Sequence, residues 1–117
     1  MPSSSQRDIF GKVLGVVIAL SGLAKLFSVP DTVANFNTWH LGDTWRYVIG
    51  AYELVCGALL FVPGLARYGA FAFFLLMPAA VLAHLTSGQG PLVAMPLVFG
   101  AAVFFYLRAR GAIRLAP

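Results

Sequence analysis

The chain has 117 residues and a formal net charge of +4, with 8 Lys and Arg against 4 Asp and Glu; 60% of it is hydrophobic and only 10% is charged. Soluble domains carry about 25% charged residues, which they need to cover a large surface. The composition therefore excludes an ordinary soluble domain, a disordered chain and a disulfide-stapled module, and it points to a single integral membrane domain over residues 1–117.

A short polar tail comes first, and Arg7 and Lys12 precede an apolar run. The run holds Lys25 and no clean small-x-small cleavage site follows it, so a retained helix is expected rather than a secretory signal. Four spanning segments are predicted, at residues 13–30, 47–65, 68–86 and 91–107. Each is long enough, at 1.5 Å per residue, to cross most of a hydrocarbon core about 30 Å thick. None alternates with period two, so the expected fold is all-α, an integral membrane four-helix bundle, and not a barrel.

Segment one carries Gly11, Gly15, Ile18, Gly22 and Lys25 on a single helical face. The connection after it, residues 31–46, contains Phe36, Trp39 and Trp45. Asp31 reads as an N-cap, and Val33, Phe36 and His40 fall on one face. A short amphipathic helix is expected there, lying on the outer membrane surface with its tryptophans at headgroup level. Segment two repeats the glycine device with Gly50, Glu53, Gly57, Leu60 and Gly64. Small residues let helix backbones approach closely in lipid, so segments one and two should pack tightly, with Lys25 and Glu53 facing protein.

The tight connection Pro63-Gly-Leu-Ala-Arg67 makes segments two and three an antiparallel hairpin. Segment three places His84 in a stripe with Ala80, Met77 and Phe73. Pro78 and Pro96, inside segments three and four, are expected to kink them and open a cavity. Gly100, Ala101 and Ala102 offer a close-contact surface for a homodimer or a membrane partner.

With four spans, Arg7, Lys12, Arg67, Arg108, Arg110 and Arg114 fall on one side and only Arg46 on the other. That bias places both termini in the cytoplasm. Basic residues beside apolar runs suit anionic lipid headgroups rather than nucleic acid.

Lys25 lies about 7.5 Å below the outer end of its helix and Glu53 about 10 Å below the end of its own. His84 sits close to the same face of the membrane. Charges at this depth are costly, so they pair or serve a function. Lys25 has the alternative of snorkelling to the interface; Glu53, on a shorter stem, is expected to contact Lys25 directly or through one water. Two readings stand: a structural Lys25–Glu53 ion pair that fixes helix register, with His84 a hydrogen-bonded structural histidine, or all three as the polar floor of a pocket, with Glu53 as proton acceptor or anchor, Lys25 tuning it, and His84 on the ligand. Cys56, one turn from Glu53, is the sole cysteine, which excludes an intrachain disulfide. No zinc signature, nucleotide loop or Ser-His-Asp set is present, and no metal site is expected.

The stretches Ser21-Gly-Leu-Ala-Lys25-Leu-Phe, Ile49-Gly-Ala-Tyr-Glu53-Leu-Val-Cys-Gly57 and Leu76-Met-Pro-Ala-Ala-Val-Leu-Ala-His84-Leu resemble the DoxX-like family over about residues 9–110. The resemblance implies a four-helix protein of the bacterial-type inner membrane, and its polar positions fall on Lys25, Glu53 and His84. It further implies a link to the membrane subunits of thiosulfate:quinone oxidoreductases and to redox-stress complexes, while animal relatives look like membrane-protein chaperones. It supplies no reaction.

The expected function is binding or processing of a small lipophilic, quinone-like molecule in an outward-facing pocket, as a redox-associated subunit. The candidate catalytic residues are Glu53, Lys25 and His84. The candidate ligand contacts are these three with Met77, Trp39 and Cys56, roofed by residues 36–45. Quinone is the candidate cofactor; haem would need two well-placed histidines, and His40 lies in a connection. The alternatives are a non-catalytic assembly or chaperone factor, and a small enzyme of acid–base chemistry, isomerisation or epoxide opening, with Glu53 as acid or base.

Overall fold

A computed structural model of the chain describes residues 4–111. The first apolar run folds as α1 (Ser4–Leu26), and the polar residues before it join the same helix. It stops short of residue 30, the expected end. Pro30 disfavours helical backbone at Val29, whose ψ is 131°, and instead takes the first position of α2 (Pro30–Thr38), where its fixed φ is an asset. Val29 therefore occupies the N-cap position predicted for Asp31, which lies in the first turn.

The predicted connecting helix exists as α2, but its buried face differs. Phe36 is buried, whereas His40 lies beyond the helix in the left-handed region (φ 60°). Its backbone turns the chain so that Leu41 N–H reaches Phe36 C=O at 3.0 Å, a closure that satisfies the helix end and throws the His40 side chain outward. Ser28 (φ 57°) closes α1 in the same way, with Val29 N–H on Ala24 C=O at 3.0 Å. Of the two tryptophans, Trp45 faces outward and Trp39 packs inward against His84.

The chain re-enters helix at Gly42 rather than at residue 47, and α3 runs Gly42–Leu59. Arg46, expected in a surface connection, is thus inside α3 and buried. Its guanidinium donates to Lys25 C=O (2.6 Å) and Ser28 Oγ (2.8 Å) and pairs with Asp43 (3.0 Å). It caps the exposed carbonyls of α1 and places positive charge at the negative end of that helix. After a turn come α4 (Ala66–Thr86), a 3₁₀ turn (Gly90–Val93) and α5 (Ala94–Ala109). Among the described residues there is no strand. Three helical stretches, Ser5–Leu26, Ala66–Thr86 and Gly90–Ala109, are long and apolar enough to cross a membrane. Asp43, Arg46 and Glu53 set α3 apart from them.

The four longer helices run up and down in a ring, α1 against α3, α3 against α4, α4 against α5, and α5 back to α1. The α1/α3 contact is a glycine seam. A Cβ on Gly22 would sit 2.5 Å from Gly50 C=O, and one on Gly57 would sit 2.7 Å from Gly15 C=O. The two backbones touch, as small residues permit in lipid. Two glycines assigned to these faces lie elsewhere: Gly11 meets Tyr106 of α5, and Gly64 sits in an open turn with φ 84°.

Phe73 packs edge-on to Phe99 across α4/α5, and Gly100 faces Met77 of α4. Pro78 is inside α4 as expected, but Pro96 falls in the first turn of α5, after the 3₁₀ turn, and interrupts no long helix. The α1 and α5 helices are clasped at one end. There Arg7 donates to Ala109 C=O (3.0 Å), Asp8 pairs with Arg110 (3.3 Å), and Phe10 stacks against Phe105 and Tyr106. That end also gathers Lys12, Arg67 and Arg108; Arg114 lies outside the described residues.

Candidate functional site

Away from the clasp, α1 and α5 part, and a cavity of about 250 Å³ opens between α1, α3, α4 and α5 beneath α2. It exceeds the ~150 Å³ void that admits benzene in a protein core. Its lining is mostly apolar, with Ile18, Phe36, Phe73, Met77 and Phe99 prominent. Val17 of α1 and Met95 of α5 line it while remaining 37% and 58% exposed, so the cavity reaches the side of the bundle between those helices.

One wall is charged. Lys25 Nζ lies 2.6 Å from Glu53 Oε1, with the two side chains 15% and 5% exposed. The ammonium also donates to Ser21 Oγ at 2.9 Å, and the Ser21 hydroxyl in turn faces both carboxylate oxygens at 3.3 and 3.4 Å. Helical spacing explains the cluster: Ser21 and Lys25 are one turn apart on α1, and the glycine seam holds their face against Glu53. Lys25 therefore does not snorkel. An ammonium has three N–H groups and two are used, so one remains for the cavity.

The opposite wall carries a chain of polar side chains. Trp39 Nε1 donates to Gln89 Oε1 at 2.9 Å, and His84 Nδ1 lies 3.0 Å from the same oxygen. The Trp39 and His84 rings meet edge to face at 5.3 Å. The backbone turn at Gly88 (φ 71°) brings Gln89 back to His84, with Gln89 N–H on His84 C=O at 2.9 Å.

Of the residues singled out in the sequence, Lys25, Glu53, His84, Met77 and Trp39 all line this cavity. Cys56 does not. It is buried in the core beside α4, where Gly69 backs onto its carbonyl, because one turn along α3 from Glu53 the bundle closes to direct packing. Trp45, placed in the roof, is exposed on α3 outside the cavity. Sequence reading missed Ser21 and Gln89 as site residues. Ser21 stands one turn before Lys25, a signal that was available; Gln89 lies in a short connection, and only the closure of α4 shows its role. Among the described residues no three of His, Cys, Asp and Glu gather to hold a metal ion.

No curated protein and no solved structure matches the chain. The model of the DoxX-like family matches residues 9–106, from the second turn of α1 to near the end of α5, and takes in every residue of the cavity. Together with the three apolar helices, this match makes the chain an integral membrane protein of the DoxX-like family.

Proposed function

We propose that the protein binds a small lipophilic, quinone-like molecule in the cavity between α1 and α5, with Lys25, Glu53 and His84 as its polar contacts. The observation that carries this reading is the pairing of a ring-sized apolar void with an ammonium–carboxylate pair and an imidazole on facing walls. Ligand sites are mostly apolar with a few placed polar groups. Ionisable side chains buried at membrane depth usually mark such sites.

In this reading α3 is a fourth span. Its backbone touches that of α1 from Gly57 to Gly50, so the two helices share the same depth, and its charges are met by Lys25 and Asp43. Four spans bring the basic end, with both termini, to the cytoplasm of a bacterial-type inner membrane, and α2 roofs the cavity at the outer surface. Terminal reporter fusions active only in the periplasm are then silent. A redox-associated role follows if the bound molecule is a quinone.

The test uses Trp39, which lines the cavity, as the probe, with the exposed Trp45 replaced by Phe in every protein compared. Duroquinone added to detergent-purified protein quenches its fluorescence saturably. Ala80→Phe, which fills the cavity wall, removes the saturable component while the helix content stays constant. Quenching that never saturates, or that is identical in both proteins, refutes the reading and leaves an ion pair that sets helix register.

A further inference from the structure

The Trp39–Gln89–His84 chain fixes more than the position of a ring. An indole N–H can only donate, so the Gln89 atom 2.9 Å from Trp39 Nε1 is the amide oxygen; the flipped amide would set two donors against each other. The same oxygen lies 3.0 Å from His84 Nδ1, and an amide oxygen only accepts, so Nδ1 carries a proton. In the neutral imidazole, Nε2 is then a bare acceptor. It has no hydrogen-bond partner among the described residues, and His84 lines the cavity.

We infer that Gln89, oriented by Trp39, holds His84 as an acceptor for a hydroxyl of the ligand, so that the site prefers a phenol or quinol O–H over the corresponding ether or quinone. The inference rests on the ligand-binding reading above and names the chemical class the cavity takes. A quinone carbonyl offers only lone pairs, so it can take the remaining Lys25 N–H but gains nothing from Nε2. A hydroxyl donates to Nε2, and an oxygen at the far end of the ligand can take the remaining Lys25 N–H. Gln89 and Trp39 are positioning residues; His84 makes the contact.

Two measurements at pH 8, where an ordinary histidine is neutral, test this. The chain has 2 histidines, so ¹⁵N-histidine labelling gives two ring systems, and His40→Gly removes one. The remaining ring, His84, shows a protonated Nδ1 and an unprotonated Nε2. In Gln89→Leu, which keeps the backbone bond to His84, the proton moves to Nε2. Trp39→Phe, which frees the amide to flip, serves as a second variant should Gln89→Leu unfold. An Nε2-protonated His84 in the parent overturns the inference.

The second measurement compares 4-propylphenol with 4-propylanisole. The parent binds the phenol about tenfold more tightly, the worth of one good hydrogen bond, and the variant with the moved proton loses that preference. Equal affinity in the parent overturns the inference and leaves ligand binding intact. Failure of both probes to bind sinks the ligand-binding reading and this inference with it.

Discussion

Helix α1 makes two seams of opposite character. Against α3 it presents Gly15 and Gly22, and backbone meets backbone over two turns. Against α5 it presents Val17, Ile18 and Ser21, and beyond the clasp the helices part around a void. The difference teaches how a small bundle makes a site without water to drive its packing. Beyond the clasp α1 stays with α3 while α5 stands off, and the close seam carries Lys25 and Glu53 to the edge of the resulting gap.

The largest effect expected is loss of the charged pair, because it joins the tight seam to the void. Lys25→Met and Glu53→Gln should each lower unfolding stability in detergent by about 3–5 kcal/mol by leaving a buried charge unpaired. The double variant should recover much of that stability. If the pair is only structural, duroquinone binding returns with it. Binding that stays lost in the stable double variant shows that the pair acts on the ligand.

The glycine seam should also tolerate added size less well than the contact between α4 and α5. Gly22→Leu drives a side chain into Gly50 C=O and Leu54 N–H, and a loss of about 3 kcal/mol is expected, read as a lower thermal midpoint. Gly100→Ala, on the looser α4/α5 side, places its Cβ 3.7 Å from Met77 Cγ, an ordinary contact, and should stay within about 0.5 kcal/mol of the parent. Equal sensitivity at the two positions would erase the distinction.

The smallest effect lies at the outer end. His40 pays for a left-handed backbone with an exposed side chain, so His40→Gly should raise stability by about 0.5–1 kcal/mol. No change in thermal midpoint would mean that the turn carries no strain.

Much of the glycine seam was legible in the sequence, because a stripe of small residues at helical spacing has few other meanings in an apolar segment. Lys25, Glu53 and His84 were legible for a similar reason: ionisable side chains are rare enough in such segments that depth alone brings them together. Arg46 was not, since an arginine before an apolar run looks like an interfacial anchor; its role as a cap depends on how Ser28 turns the end of α1. His40 matched the periodicity of α2, but a helix period says nothing about which residue will leave it in the left-handed region. The place of Cys56 outside the cavity was not legible, because sequence proximity to Glu53 does not reveal where along α3 the cavity ends.

The clasp of Arg7, Asp8 and Phe10 on Phe105, Tyr106, Ala109 and Arg110 gives the bundle a fulcrum. Helices pinned at one end separate by rotation about that end, so a tilt too small to disturb the pinned contacts is magnified along their length. Near the fulcrum it displaces almost nothing; at Val17 and Met95, the rim of the cavity, the same rotation opens a wedge. For the ligand proposed above, such a wedge is an edgewise way in that leaves the contacts of the clasp in place.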